Sequence, residues 1–139
     1  MNVPAAAAIV VLSLLLAGCG NPESMTLGGV TLVRHGPLAG GPTAALRGTL
    51  KFEVGCAWIV DSSPGGFRYV GLWPADTELR HTTGGRLSIS SGGRQFIDGD
   101  QITVVGGESK DTDSVREQVG ELPTWCITDR YWLVTEIDS

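Results

Sequence analysis

The chain lacks the short motifs in which histidine, cysteine and serine usually carry out chemistry. Its 139 residues include only two histidines and three cysteines, with no Cys-x-x-Cys, His-Glu-x-x-His or His-x-x-x-His pattern that would predict a metal site. A Gly-x-Ser-x-Gly elbow is absent, and the paired glycines at 84–85, 92–93 and 106–107 precede no Lys-Ser or Lys-Thr of a phosphate-binding loop. These glycines predict turns, and no cofactor is expected.

Basic residues are scarce as well. The chain carries 10 Lys and Arg against 15 Asp and Glu, a formal net charge of −5. Binding to nucleic acid depends on clustered Lys and Arg that neutralise phosphates, so nucleic acid is not an expected partner. The side chains also offer no basic patch that would draw the protein onto anionic lipid headgroups.

The sequence has no apolar run long enough for a membrane-spanning helix. Residues 5–16 are apolar except Ser13, whereas a span needs roughly 20 such residues. A run of this length followed by small residues is typical of a secretory signal and its cleavage site. The quartet Leu16-Ala17-Gly18-Cys19 resembles a bacterial lipobox, which implies cleavage before Cys19 and acyl chains such as palmitate on a diacylglycerol joined to its sulfur.

The lipobox resemblance predicts where the protein is located. Residues 1–4 contain no Lys or Arg, so an ordinary cleaved signal peptide that leaves Cys19 as a spare thiol is the alternative. We expect a lipoprotein signal peptide at 1–18, a lipid-anchored flexible tether rich in Gly and Pro at 19–45, and a folded domain at 46–139. The protein would be exported to the extracytoplasmic face of the plasma membrane. Its expected partners are the membrane and an unknown envelope protein or polymer.

Two cysteines, Cys56 and Cys126, remain after Cys19. An even remainder in an exported protein favours a structural disulfide. A metal pair and a labile redox couple are the alternatives, although a metal site would need further ligands at defined spacing.

Period-two alternation and frequent glycine predict an all-β fold. Apolar residues alternate with polar ones from Leu46 to Val54, and we interpret Gly55 as a bulge that bends this strand onward into Cys56. Residues 108–121 are polar and acidic and predict a mobile loop. Further strands are predicted at 30–34, 67–73, 86–90, 94–97, 101–105 and 131–137. Short strands separated by turns favour a small five- to six-stranded OB-like barrel or a sandwich.

A family resemblance depends on six short elements: Gly48-Thr49-Leu50, Gly55-Cys56, Leu72-Trp73-Pro74, Gly99-Asp100-Gln101-Ile102, Gly106-Gly107 and Cys126. In these elements the chain resembles a group of uncharacterised small lipoproteins and secreted proteins of actinobacteria. The resemblance covers residues 46–137 and implies one disulfide-bearing, barrel-like domain. It implies no known activity.

One group of residues is a candidate ligand-binding rim. Trp73 lies just before Pro74 at the end of a predicted strand and is the best candidate for an exposed aromatic side chain. It could bind a glycan or a partner protein together with the polar residues that follow it: Asp76, Glu78, Arg80 and His81. Packing of Trp73 in the core nevertheless remains the leading interpretation, and a core position is also expected of the other tryptophans, Trp58, Trp125 and Trp132.

Titratable residues give weaker predictions. His81 is a candidate general base or metal ligand, but a solvated loop histidine is the simpler interpretation; His35 falls in the predicted tether. The acidic stretches 98–100 and 111–113 could hold a weak calcium ion, but neither completes an EF-hand loop, and we assign no metal ligand. The leading hypothesis is a non-catalytic envelope lipoprotein that presents a binding surface. Its rivals are an envelope hydrolase that uses carboxylates or His81, and a metal- or redox-responsive module.

Overall fold

The computed structural model of the protein describes residues 24–38 and 40–138. The predicted signal peptide and the lipidation site Cys19 lie outside the described residues. Within those residues no helix is both long and apolar enough to cross a membrane. The elements are β1 (Met25–Leu27), β2 (Val30–Leu32), β3 (Arg34–His35), β4 (Ala44–Glu53), β5 (Cys56–Asp61), β6 (Arg68–Pro74), β7 (Glu78–His81), β8 (Leu87–Ser91), β9 (Arg94–Ile97), β10 (Gln101–Ser109), α1 (Thr112–Val119), a 3-10 turn (Thr124–Cys126) and β11 (Tyr131–Ile137).

Five strands close into a barrel. Strand β4 pairs antiparallel with β5 and β10, and β5 also pairs antiparallel with β6. Strand β11 pairs antiparallel with β10 and parallel with β6, which completes the circle. A five-stranded Greek-key barrel in which the third and fifth strands run parallel has the strand order of an OB-fold. The predicted all-β, OB-like barrel is therefore confirmed.

The barrel interior follows the predicted alternation. Leu46 and Leu50 on β4 are buried, and Arg47 between them is exposed. Tyr69 and Trp132 meet edge-to-face inside, with ring centroids 5.5 Å apart. At Gly106 a Cβ atom would lie almost on the main-chain oxygen of Leu133, so only glycine allows β10 and β11 to approach this closely at the bulge between them.

The predicted bulge at Gly55 is instead a two-residue turn between separate strands. Glu53 pairs with Cys56 across it, and both turn residues have positive φ, 52° at Val54 and 77° at Gly55. Such values match the right-handed twist of a hairpin, which a bulged single strand does not require. The sequence lacked the usual Asn-Gly signal because Val54 occupies the first turn position.

Residues 25–35 depart from the predicted flexible tether. They form β1, β2 and β3, of which β2 pairs in parallel with β5 and β3 pairs in parallel with β6. Val30, Leu32 and Val33 are buried. Their apolar side chains extend the core, and this offsets the entropy of ordering a segment whose glycines and prolines favoured a tether.

A second, three-stranded sheet of β7, β8 and β9 lies against this leading part of the chain. Leu79 and Ile89 from this sheet are buried in the same core cluster as the barrel interior. The main-chain N–H of Leu79 donates to the sulfur of Met25 at 3.4 Å. The sheet thus fixes the first strand of the described chain onto the domain.

The predicted mobile loop at 108–121 is also ordered. Strand β10 continues to Ser109, and helix α1 buries Val115 and Val119, which are four residues apart and so share one face. The carboxylate of Asp111 caps the helix by accepting from Asp113 N and from Ser114 Oγ, at 3.1 and 2.7 Å. The Ser114 hydrogen bond, followed by that from the Asp113 main chain, lowers the pKa of Asp111. In the structure, Asp111 of this acidic stretch serves as the cap of α1.

Candidate functional site

The structure does not assemble the predicted rim into one site. Trp73 is 1% exposed and packs inside the barrel, so it is not an exposed aromatic side chain. Glu78 and Arg80, two residues apart on β7, form an ion pair with each other at 2.6 Å. Asp76 is exposed and lies in a separate groove, described below.

His81 is exposed at the end of β7. Among the described residues its ring makes no hydrogen bond and no ion pair. His81 is among the lining residues of neither groove described below. In the part of the chain that the structure describes, no three His, Cys, Asp or Glu side chains come together as a metal site.

The predicted disulfide between Cys56 and Cys126 is confirmed. The two Cα atoms are 5.7 Å apart, within the ordinary range, and both residues are fully buried. The redox hypothesis required these cysteines to be exposed or strained, and their burial at an ordinary Cα separation counts against it. The bridge fastens residues 124–130, here called the clamp segment, across the outer side of β5.

A groove of about 540 Å³ lies where β6 and β11 begin. We call it the amino-end groove; it is lined by Trp58, Gly66, Phe67, Arg68, Thr128, Asp129 and Arg130. The guanidinium of Arg130 lies over the Phe67 ring, 3.5 Å from its centroid, and that of Arg68 lies over Trp58 at 4.7 Å. Phe67 nevertheless remains 50% exposed. The groove therefore offers aromatic surface with nitrogen donors beside it.

Both guanidinium groups of the amino-end groove are also held by carboxylates. Arg68 pairs with Glu53 at 2.7 Å and Arg130 pairs with Glu108 at 2.6 Å. These contacts fix the rings and the guanidinium planes relative to each other, and they neutralise the positive charge. The second of these pairs acts on the hydroxyl of Tyr69. Burial and then Glu108 raise the pKa of Tyr69, and Arg130 partly offsets them.

Sequence reasoning missed this groove. Trp58 was expected in the core and is half-buried at the groove, and Trp125, also expected in the core, is 50% exposed. Phe67 and Arg68 follow a Gly-Gly turn, but nothing in their pattern predicts a stack with Arg130, which lies more than sixty residues later. The expected core position of Trp132 is confirmed.

A second groove, of about 550 Å³, lies where β6 and β11 end. We call it the carboxyl-end groove. Pro37, Leu38, Pro42 and Pro74 give it apolar walls, and Asp76 and Glu136 line it as acidic residues. It also contains His35, which is 4% exposed.

His35 joins two parts of the chain at this groove. Its Nε2 lies 2.6 Å from the main-chain oxygen of Val134, and its Nδ1 lies 2.7 Å from that of Gly36. Val134 follows the last paired residues of β6 and β11, Leu72 and Leu133. Both ring nitrogens face main-chain oxygens, and a neutral imidazole donates through one of them, so His35 serves as a connector between these two parts of the chain.

Comparisons of the chain with protein-family models, with curated proteins and with solved structures found no match. The resemblance to small actinobacterial lipoproteins therefore stays a prediction.

Proposed function

We propose that the protein is a non-catalytic binding module of the cell envelope, anchored through a lipid on Cys19, and that its amino-end groove holds the sugar rings of an envelope polymer. The observation that carries the proposal is the double stack in which Arg130 and Arg68 lie over Phe67 and Trp58 while Phe67 stays half exposed. Aromatic rings pack against the apolar faces of sugars, and guanidinium nitrogens donate to their hydroxyl groups.

The position of the groove supports this assignment. In OB-fold barrels the second and third strands, with the loops beside them, bind oligonucleotides and oligosaccharides. Here those strands are β5 and β6, which provide Trp58 and Arg68, and the loop before β11 provides Arg130. By analogy with other OB-fold barrels, this face of the barrel is the favoured one for a ligand.

Charge favours a sugar over a nucleic acid on that face. The chain has a net charge of −5, and Glu53 and Glu108 already pair with both arginines of the groove. A polyphosphate chain would need free cations there. A neutral, hydroxyl-rich ligand needs only donors, acceptors and ring surface, which the groove retains.

The test is a titration of the protein with chitotetraose, a soluble N-acetylglucosamine tetramer, followed by the NMR signals of the Trp58 indole and the Phe67 ring. We expect saturable shifts at these signals, and loss of binding in Phe67→Ser because the exposed ring is removed. Leu38→Ser is the matched control, since it removes an exposed apolar side chain from the other groove and should leave binding unchanged. Shifts confined to the carboxyl-end groove, or no saturable shift with this or other neutral oligosaccharides, would refute the assignment.

A further inference from the structure

Two exposed apolar side chains lie at the turn that leads into β5. Val54 is 72% exposed and Trp125 is 50% exposed. Val54 stands at the β4–β5 turn, and Trp125 packs against the neighbouring Gly55, where a Cβ atom would lie 2.9 Å from the indole. We call this pair the tip patch.

Val54 is an unfavourable residue for its position on two counts. Its φ of 52° is in the left-handed region, which a β-branched side chain rarely adopts and which Asn, Asp or Gly adopts readily. Its side chain is also left in water, where it gains no burial in the core. The fold therefore does not account for a valine here, and such outliers cluster at functional positions.

Trp125 is held in its exposed position by three contacts. Its indole Nε1 donates to Thr31 Oγ1 at 3.2 Å, its ring lies on Gly55, and its neighbour Cys126 is bonded to Cys56. The ring is thus fixed before any partner arrives, which lowers the entropic cost of binding.

The first described strand is connected to the same patch. Thr26 on β1 lies 3.0 Å from Thr31, oxygen to oxygen, and Thr31 bonds both Trp125 and the main-chain oxygen of Gly55. Strand β1 begins at Met25, so only five residues, 20–24, separate it from Cys19. Even fully extended, that length of chain spans no more than about 22 Å from Cys19 to Met25. A lipid on Cys19 would hold this end of the domain close to the bilayer surface.

We propose that the tip patch docks into the interfacial region of the membrane to which the protein is anchored. The inference rests on the proposed lipid anchor at Cys19. Tryptophan is enriched at the membrane–water interface, because its ring is apolar and its N–H is polar.

The experiment uses the full lipid-anchored protein in phosphatidylcholine vesicles that contain brominated acyl chains, which quench nearby tryptophans. We expect quenching in the unaltered protein and its loss in Trp125→Phe, because Trp125 is the tryptophan at the membrane. Trp132→Phe is the matched control and should keep the quenching, because Trp132 is buried inside the barrel. Val54→Asn should weaken quenching by making the tip patch polar. Phe67→Ser should not weaken quenching, because Phe67, which is as exposed as Trp125, lies beside Asp61 at the carboxyl end of β5.

Two other outcomes would refute docking of the tip patch into the membrane. Undiminished quenching in Trp125→Phe would place another tryptophan at the membrane. A blue-shifted Trp125 emission that brominated lipid does not quench would mean that protein, a second copy or another partner, covers the tip.

Failure of the anchor is measured separately by the intact mass of the same sample. If Cys19 carries no acyl chains, the proposed anchoring is refuted. If Cys19 is acylated and Trp125 is not quenched, the docking alone is refuted.

Discussion

The two grooves occupy opposite ends of the same pair of parallel strands, β6 and β11, but their walls are held in different ways. At the amino end, the clamp segment is joined to β5 by the Cys56–Cys126 bond, and its Arg130 stacks on Phe67. At the carboxyl end, residues 36–38 adjoin β3, whose His35 bonds Val134. One wall is fixed covalently and the other by hydrogen bonds and strand pairing.

This difference indicates that the wall of the amino-end groove resists local unfolding better than that of the carboxyl-end groove. A covalent bond between distant residues keeps its wall in place through local opening of the domain, whereas a short edge strand can detach at a lower free energy. The amino-end groove also presents rigid rings, while the carboxyl-end groove has proline walls around a connector histidine. For these reasons we assign ligand binding to the amino-end groove.

Removal of the disulfide should cause the largest loss of stability, and the resulting local opening should be confined to the amino-end groove. The bond spans a sequence separation of 70 residues, and replacing both cysteines by serine should lower the free energy of unfolding by about 4 kcal/mol in the chain-entropy model. Urea unfolding followed by tryptophan fluorescence measures this loss. Hydrogen exchange should show that residues 124–130 open while β3 stays protected. Equal hydrogen exchange in the clamp segment and in β3 would contradict the view that the two groove walls are held independently.

His35→Ala is the corresponding change at the other groove. It removes the buried partner of the Val134 oxygen, and an unsatisfied buried acceptor costs about 1–3 kcal/mol. We expect a lower free energy of unfolding and faster hydrogen exchange in residues 33–38. Binding of chitotetraose at the amino-end groove should be unchanged. His81→Ala, at an exposed position, is the control and should leave stability unaltered.

The sequence predicted the barrel more fully than the grooves, and the reason is physical. Alternation along β4 and β11 and turn glycines are local signals, and cysteine parity was enough to pair Cys56 with Cys126. Of the leading strands, β2 lies within the strand predicted at 30–34, whereas β1 was predicted as part of the tether because its three residues run directly into Gly28-Gly29. The stack of Arg130 on Phe67 depends on two distant segments meeting in space, which period and propensity do not encode.

Glu108→Gln should have the smallest effect. Its ion pair with Arg130 is partly exposed, so its loss should cost no more than about 1 kcal/mol, and less at high salt. A more sensitive measurement is the pKa of Tyr69, which burial and then Glu108 raise above the ordinary 10.0. Removing the charge should lower this pKa, although burial should keep it above 10.0.

The sign of that shift also decides the pH dependence of folding. A tyrosine whose pKa is raised by folding stabilises the protein below its unfolded value, and this contribution is lost as pH rises through the folded value. The loss should therefore begin near pH 10 and be complete at lower pH in Glu108→Gln than in the unaltered protein. Ultraviolet titration of the phenol measures the pKa directly. Glu53→Gln is the matched control, because Glu53 pairs with Arg68 and should leave the pKa of Tyr69 where it is. An equal shift in both variants would mean that the two ring–guanidinium stacks form one electrostatic unit, and that the fixed geometry of the groove depends on both carboxylates together.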